Sequence, residues 1–182
     1  MPELRIVAGE WRGRRIAVPP GTVRPTSDRV REAWMSIINP FLDGARVLDL
    51  CAGSGALGLE ALSRGAVHCD FVERDPKILT TLRRNITTLG AEGRSMVHKS
   101  EAERFVGDVD RGAPRWDVAF SDPPYQSGVA RALAELWLQR PFATIFGVEH
   151  EAATALPDVV PGGTVDRRVY GGTAITILRT DS

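Results

Sequence analysis

The chain has 182 residues, of which 43% are hydrophobic and 25% charged, values typical of a folded globular domain. This composition excludes disordered, collagen-like and low-complexity classes, and no apolar run is long enough to span a membrane. Two cysteines cannot form a disulfide framework and the first residues lack an apolar signal core, so we expect a reduced, cytoplasmic protein.

The net charge is zero, with 23 basic and 23 acidic residues, but the charges are unevenly placed. Residues 1–31 hold seven arginines and three acidic residues. A basic end on a neutral protein predicts a local anionic partner such as nucleic acid. Only Lys77 and Lys99 are lysines, which favours contacts with phosphate groups. Genomic codon bias is an alternative explanation of that ratio, but not of the clustering. The arginines expected to contact nucleic acid are Arg12, Arg14, Arg15, Arg24, Arg29 and Arg31.

Residues 1–40 are predicted to form a small extension ahead of a main domain at 41–182. Short apolar runs at 4–7 and 14–18 flank a turn that contains two glycines, which indicates a β-hairpin. Thr26-Ser27-Asp28 can cap a helix, and apolar residues then recur at helical spacing until Pro40.

From residue 45 onward, predicted strands alternate with predicted helices, which is the pattern of a parallel sheet with right-handed crossovers. The predicted strands are 46–50, 67–72, 95–99, 116–120 and 144–148, and the predicted helices are 56–64, 76–89, 101–106 and 128–139. Two further strands, 165–170 and 173–178, flank Gly171-Gly172 as a closing hairpin. We therefore expect a doubly wound α/β fold with seven strands, mostly parallel, and an antiparallel hairpin at one edge.

A glycine-rich turn follows the first strand of this domain. Gly53-Ser54-Gly55-Ala56-Leu57-Gly58 matches the dinucleotide fingerprint, and Glu73 follows Gly53 by 20 residues, where an acid can hold ribose hydroxyls. However, Asp49 stands at the end of the strand, and a carboxylate suits a cationic cofactor better than a pyrophosphate. We expect S-adenosylmethionine, with NAD or FAD, or a turn without a ligand, as alternatives. The predicted cofactor residues are Asp49, Ala52, Gly53, Ser54, Gly55, Glu73 and Arg74.

The fourth strand runs directly into Asp122-Pro123-Pro124-Tyr125, which we call the proline shelf. Two prolines fix φ at both positions and carry no N–H group. Asp122 and the Pro123 carbonyl are therefore acceptors that can receive both hydrogens of an exocyclic amine, while Tyr125 offers a flat face to a planar base. Holding those hydrogens turns the nitrogen lone pair toward a methyl donor. The predicted catalytic residues are Asp122, Pro123 and Tyr125, with Asp122 also bordering the cofactor.

Together these motifs resemble the signature of class I methyltransferases that act on amine nitrogens. A closer resemblance, to the RsmD-type bacterial ribosomal RNA guanine-N2 methyltransferases, covers most of residues 5–126, including Trp11-Arg12-Gly13-Arg14 and Asp28-Arg29-Val30-Arg31-Glu32. It implies methyl transfer to the N2 amine of a guanine in 16S ribosomal RNA, with that RNA or the assembling small subunit as partner. Trp11 would then either stack on RNA or pack under the hairpin.

The sequence departs from this family pattern at two places in the cofactor region. Cys51 stands where a larger apolar residue, commonly Phe, is expected, and Ser100-Glu101-Ala102 replaces an Asn-Ala or Asp-Ala pair. The resemblance implies that Glu101 contacts the adenine.

Several other functions stay open from the residues alone. An adenine-N6 or cytosine-N4 DNA methyltransferase would use the same proline shelf, although the chain has no room for a target-recognition domain. A non-catalytic RNA-binding or ribosome assembly factor would keep the fold without using Asp122. The three histidines lack metal-ligand spacing, so we predict no metal site.

Overall fold

The computed structural model describes residues 2–21, 28–110 and 115–181. A two-stranded antiparallel hairpin, β1 (Glu3–Arg5) and β2 (Arg15–Ala17), comes first, and α1 (Asp28–Ile38) follows it. A single 3-10 turn, Asn39–Phe41, continues from α1 and contains Pro40. The predicted hairpin and helix are therefore confirmed, whereas Arg24 and the predicted cap residues Thr26 and Ser27 lie outside the described residues.

The remaining elements form a seven-stranded sheet with helices on both faces. The strands are β3 (Arg46–Leu50), β4 (His68–Glu73), β5 (Ser95–Lys99), β6 (Trp116–Ser121), β7 (Ala143–Glu151), β8 (Gly163–Tyr170) and β9 (Thr173–Thr180). The helices are α2 (Ala56–Ser63), α3 (Pro76–Leu89), α4 (Ala102–Gly107) and α5 (Val129–Gln139). The sheet order is β5-β4-β3-β6-β7-β9-β8. Five strands run parallel and β9 and β8 add antiparallel pairs, as the sequence predicted.

The chain reverses its direction of winding between β3 and β6. From β3 the sheet extends outward through β4 to β5, and from β6 it extends the other way to β7. In open α/β sheets the carboxyl ends of the strands at such a switch point border a crevice that binds ligands. The topology thus places the residues that follow β3 and β6 at one candidate site.

Alternating side chains of the central strands pack into two hydrophobic clusters, one on each face of the sheet. Val47 belongs to the cluster that contains Trp34 of α1, and Leu48 belongs to the cluster that contains Trp137 of α5. Both tryptophans are fully buried, as is nearly all of Trp116, so all three residues belong to the core.

The N-terminal hairpin docks on α2 and α3 through buried polar contacts as well as apolar ones. The Glu60 carboxylate accepts hydrogen bonds from the backbone N–H groups of Val7, at 3.0 Å, and Ala8, at 3.0 Å. The Asn85 amide exchanges hydrogen bonds with the Ala17 backbone at 2.8 and 2.9 Å. Because Ile6 also lies in the cluster of Trp34, the hairpin shares a core with the sheet. The domain boundary at residue 40 stays a prediction.

Trp11 packs beneath the hairpin and does not present a stacking face. Its side chain is 4% exposed, its backbone N–H donates to Ser63 Oγ at 3.0 Å, and the Arg94 guanidinium lies 4.9 Å from its ring centre. Of the two interpretations of Trp11, the packing one is confirmed, and the expectation that it stacks on RNA is wrong.

Two further features concern the described residues as a set. No helix among them combines the length and the apolar character that crossing a membrane requires. Their His, Cys, Asp and Glu side chains form no group of three that could hold a metal ion, and the absence of a metal site stays a prediction.

Candidate active site

A cleft of about 860 Å³ opens at the carboxyl ends of β3, β4, β5 and β6. Its walls include the glycine turn after β3, the end of β4, the segment after β5 and the proline shelf after β6. The hairpin and α1 close one side, and residues of β7, β8 and β9 close another. The structure therefore brings the predicted cofactor and catalytic residues to one place.

Left-handed backbone conformations shape the glycine turn. Gly53 has a φ of 58° and Gly55, at the start of α2, has a φ of 83°. A Cβ atom added at Gly53 would meet no atom within 4 Å, so the turn presents bare backbone at this position. Cys51 adopts a φ of 58° despite its side chain. Burial raises the pKa of the Cys51 thiol to about 12, which makes it a poor nucleophile at neutral pH.

Asp49 is a buried carboxyl group at the floor of the cleft. It is 2% exposed, and its Oδ2 atom accepts a hydrogen bond from the Gly58 N–H of α2 at 3.0 Å. Burial raises its pKa well above the usual value; the Gly58 bond opposes the shift, while Asp122 and Glu73 add to it. A positively charged group nearby would favour the ionised form. Asp49 is thus suited to hold a cation.

Glu73 connects the glycine turn to the start of α3. Its Oε2 atom accepts from Gly53 N–H at 3.0 Å, and its Oε1 atom accepts from the N–H groups of Arg74, at 2.9 Å, and Asp75, at 3.0 Å. Asp75 in turn caps α3 by accepting from Lys77 N–H at 2.8 Å. The carboxylate is buried and held in a fixed orientation at the cleft wall.

Arg74 and Glu101 form an ion pair at the rim of the cleft. Arg74 Nη1 lies 3.3 Å from the Glu101 carboxylate, and both side chains are more than half exposed. An exposed pair of this kind contributes little to stability, about 0–1 kcal/mol. The Glu101 carboxylate can therefore exchange this partner for a ligand group.

In the proline shelf, the Pro124 carbonyl and the Tyr125 hydroxyl have distinct partners. The Pro124 carbonyl accepts from Ser127 Oγ at 2.6 Å, which fixes the exit of the shelf. The Tyr125 hydroxyl lies 2.6 Å from Thr173 Oγ1 and donates to Glu149 Oε1 at 3.4 Å. These contacts hold the tyrosine hydroxyl in place at the cleft.

Carboxylates that follow three of the parallel strands line the cleft. The register pairs Asp49 with Phe71 and Phe120, and Phe120 with Gly147. Glu73 and Glu149 come two residues after Phe71 and Gly147 on their strands, and a step of two residues returns to the same face. Asp122 follows the last residue of β6, and β3 lies between β6 and the strand of Glu73. Glu73, Asp122 and Glu149 all line the cleft, together with Asp49.

Sequence reasoning did not place several polar residues in the cleft wall. Among them, Glu149, Tyr170 and Thr173 come from β7 and from the closing hairpin, and Arg31, predicted to contact nucleic acid, comes from α1. Because β9 runs antiparallel to β7, the turn between β8 and β9 returns to the carboxyl edge of the parallel strands. That orientation follows from the predicted topology, so it is the signal that could have located Tyr170 and Thr173.

The N-terminal arginines divide into exposed and buried groups. Arg12, Arg14, Arg15 and Arg29 are exposed, with Arg15 paired to Glu3 at 3.2 Å and Arg14 donating to the Thr88 carbonyl. Arg31 is only 7% exposed, and its Nη2 atom lies 3.0 Å from Asp28 Oδ1. Because α1 turns Arg31 inward, it lines the cleft wall, and its contact with nucleic acid stays a prediction.

The cleft fits S-adenosylmethionine by the chemistry of its polar groups. Asp49 suits the ammonium, the Glu73 carboxylate suits a ribose diol, Glu101 can accept from an adenine amine, and the bare backbone at Gly53 allows close approach. Every predicted cofactor residue except Gly55 lines the cleft; Gly55 instead sets the turn that begins α2. Their contacts with the cofactor stay predictions.

Sequence comparison identifies relatives along nearly the whole chain. The family described as conserved hypothetical protein 95 matches residues 4–179. Ribosomal RNA small subunit methyltransferase D of Escherichia coli (strain K12) is 39% identical over 177 residues, covering 93% of this chain and 86% of that protein. YlbH of Bacillus subtilis (strain 168) is 36% identical over 181 residues, covering 97% of this chain and 98% of that protein.

Comparison with solved structures also identifies methyltransferases. The structure of yhhF from Escherichia coli superposes with a TM-score of 0.85 at 35% identity, covering 100% of both chains. The Thermus thermophilus 16S rRNA N2 G1207 methyltransferase RsmC, solved with AdoMet and guanosine, shares the fold at a TM-score of 0.71 and 21% identity, covering 98% of this chain and 49% of that one. With its Rossmann-like methyltransferase fold, the chain belongs to the RsmD family, the family of ribosomal RNA small subunit methyltransferase D.

Proposed function

We propose that this protein transfers a methyl group from S-adenosylmethionine to the exocyclic N2 amine of a guanine in 16S ribosomal RNA. The observation that carries the proposal is the proline shelf, which borders the same cleft as the glycine turn and Glu73. Relatives that cover most of the chain are named ribosomal RNA small subunit methyltransferases, which supports an RNA substrate.

When bound, S-adenosylmethionine supplies an electrophilic methyl group on a sulfonium whose departure leaves a neutral thioether. In this proposal Asp49 holds the cationic amino-acid end, and Glu73 accepts hydrogen bonds from the ribose hydroxyls. Because three backbone N–H groups already fix the Glu73 carboxylate, it meets the ribose without having to be ordered first.

The proline shelf orients the amine of the base. The lone pair of a guanine amine is delocalised into the ring, so the amine is a weak nucleophile. Asp122 and the Pro123 carbonyl accept its two hydrogens and turn the lone pair toward the methyl carbon. As the new N–C bond forms, positive charge develops on nitrogen beside the Asp122 carboxylate, which stabilises it and accepts the proton that the nitrogen then loses.

The target base must leave its stack to reach this cleft. Tyr125 offers a ring on which the base stacks, and Thr173 and Glu149 hold the hydroxyl at its far end. A fixed ring loses little conformational entropy when the base arrives. The exposed arginines of the hairpin and α1 contact RNA phosphates on the same side of the molecule, where Leu4, Pro19 and Val30 border the cleft.

The most informative test is mass spectrometry of ribosomal RNA nucleosides from cells with and without this protein. We expect one N2-methylguanosine in 16S RNA to disappear with the gene and to return when it is restored. Labelled methyl transfer to naked DNA, to free ribosomal RNA and to assembling small subunits then identifies the substrate. Transfer to DNA alone, with an unchanged RNA nucleoside profile, would contradict the proposal.

A further inference from the structure

Arg31 is a buried cation in the wall of the cleft. It is 7% exposed, it lines the cleft, and its Nη2 atom donates to Asp28 Oδ1 at 3.0 Å. Its Nε atom is buried and has no hydrogen-bond partner among the described residues. A buried donor of a charged group is costly to leave without an acceptor. An anion in the cleft would therefore stabilise a guanidinium that the protein itself satisfies only in part.

Asp28 does not neutralise Arg31 fully. The side chain of Asp28 is 82% exposed, so most of its surface faces water. A carboxylate that water already solvates gains little from an ion pair. The positive charge of Arg31 thus remains available to a ligand.

The charge of the cleft wall shows which group of the cofactor needs a partner. Among the described residues that line the cleft, acidic side chains outnumber the two basic ones, Arg31 and Arg74. Arg74 lies at the rim and is paired with Glu101. An acidic cleft attracts the ammonium and the sulfonium of S-adenosylmethionine but repels its carboxylate. A buried cation near the amino-acid end of the cofactor would offset that repulsion.

Packing brings Arg31 to the face of the sheet on which Asp49 lies. Val47 belongs to the cluster that contains Trp34, and Asp49, two residues further along β3, lies on the same face. The register pairs Asp49 with Phe120, whose ring centre lies 6.1 Å from that of Trp34. Arg31 precedes Trp34 by three residues, a spacing that places both on the same face of α1. Arg31 and Asp49 thus border the cleft on the same side of the sheet.

We propose that Arg31 binds the carboxylate of S-adenosylmethionine while Asp49 holds the ammonium group of the same amino-acid end. A planar guanidinium can donate two parallel hydrogen bonds to a carboxylate. The proposal rests on the proposed function and deepens it, because it gives a partner to the cofactor group that an acidic cleft repels. RNA phosphates are the other available anions, but they meet a protein at its surface, where the exposed arginines of the hairpin and α1 lie.

Calorimetric titration with two ligands tests the proposal. S-adenosylhomocysteine carries the carboxylate, whereas S-adenosyl-3-thiopropylamine keeps the ammonium and lacks the carboxylate. We expect the wild-type protein to bind S-adenosylhomocysteine roughly 10-fold to 100-fold more tightly than the amine, the usual scale for hydrogen bonds to a charged group. Equal dissociation constants, or tighter binding of the amine, would overturn the proposal.

Arg31→Met removes the charge but keeps an unbranched side chain in the cleft wall. It should lower the affinity for S-adenosylhomocysteine at least about tenfold and change the affinity for the amine only a few-fold, so that the preference for the carboxylate disappears. Arg31→Lys should keep part of that preference, because it retains the charge without the planar fork. Arg83→Met, which replaces an exposed arginine of α3 outside the cleft wall, is the control and should keep the wild-type preference.

The same variants separate three kinds of failure. If Arg31→Met lowers both affinities by the same factor, Arg31 only supports the shape of the cleft, and the proposal is wrong. If it leaves both dissociation constants unchanged but weakens binding of a 16S RNA fragment, Arg31 contacts RNA, and the proposal is wrong while the proposed function stands. If the wild-type protein binds neither ligand, the proposed function itself fails.

Discussion

Two carboxyl groups of the cleft, Asp49 and Glu73, have contrasting surroundings. Asp49 has one backbone donor, from Gly58, and burial raises its pKa. Glu73 has three backbone donors, which hold its carboxylate in a fixed orientation. The difference suits Asp49 to a cation that favours its ionised form, and Glu73 to hydroxyl groups that donate to an acceptor already in place.

Glu73→Gln should weaken cofactor binding by roughly 10-fold to 100-fold, the equivalent of about 1.5–3 kcal/mol for hydrogen bonds to a charged group. The amide replaces one carboxylate oxygen by a donor, so it also opposes one of the backbone N–H groups that hold Glu73. Calorimetric titration with S-adenosylhomocysteine measures the change. Glu92→Gln, an exposed carboxylate outside the cleft, is the matched control. An unchanged Kd for Glu73→Gln would contradict the proposal that this residue binds the ribose hydroxyls.

Single residues mark where sequence reasoning was sufficient and where it was not. Glu73 and Asp122 could be predicted because each follows an apolar strand at the edge where ligands bind. Arg31 was grouped with the other N-terminal arginines expected to contact nucleic acid, and its sequence context does not show that it is buried. Its burial depends on how α1 packs over the cleft, and tertiary packing of this kind leaves no local signal.

At the scale of elements, the cleft depends on a close approach of α2 to β3 and β4. Gly58 of α2 lies so near the sheet that an added Cβ atom would be 2.4 Å from Phe71 Cε1 and 2.9 Å from Asp49 Oδ2. Its N–H group also donates to Asp49. The third glycine of the turn thus has a packing function that also places the Asp49 carboxylate.

Gly58→Ala should destabilise the fold by about 1–3 kcal/mol, because overpacking a filled core forces neighbouring atoms to shift. It should weaken cofactor binding as well, since the Asp49 carboxylate is one of the groups that would be displaced. Gly107→Ala, at the end of α4, is the control: its Cβ atom would meet nothing within 4 Å, and alanine favours helix by up to about 1 kcal/mol. Denaturant unfolding measures the free energy of unfolding of both variants. If Gly58→Ala is as stable as Gly107→Ala, α2 can move away from the sheet at little cost.

Element order and type were predictable because the apolar runs, glycines and prolines are clearly separated along the chain. Most element ends fall within two residues of prediction, but β7 continues to Glu151 instead of ending at 148. The polar sequence Glu149-His150-Glu151 favours a loop after the strand. It stays in the strand because β7 pairs with β9 as far as Thr173, and because Trp34 and Thr176 satisfy Glu149 and His150 inside the fold. A local sequence pattern does not show such long-range partners.

Considered as a whole molecule, the protein carries exposed arginines on the hairpin and α1, which pack on one face of the sheet. Arg12 and Arg29 are exposed there, whereas the helices α4 and α5 on the opposite face carry arginines paired with acids, such as Arg104 with Asp108 and Arg131 with Glu135. A neutral protein can then still attract RNA to one face.

The double variant Arg12→Ala/Arg29→Ala should weaken RNA binding and lower its dependence on salt. Each phosphate contact that is lost should reduce the slope of log K against log salt by about 0.7–0.9. Fluorescence anisotropy with a 16S RNA fragment at several salt concentrations gives both slopes. The control Arg104→Ala/Arg131→Ala changes the same number of charges on the opposite face, and an equal loss of slope in that variant would contradict a localised RNA surface.

The most direct test of the central claim, that the proline shelf orients an amine for methyl transfer, is the single-turnover rate of Asp122→Ala with its affinity for S-adenosylhomocysteine measured alongside. We predict that methyl transfer falls at least about 10²-fold, the usual scale for removing a group that stabilises developing charge, while cofactor affinity changes only a few-fold. Near-normal methyl transfer by this variant would contradict the assignment of Asp122 and, with it, the chemistry proposed for the cleft.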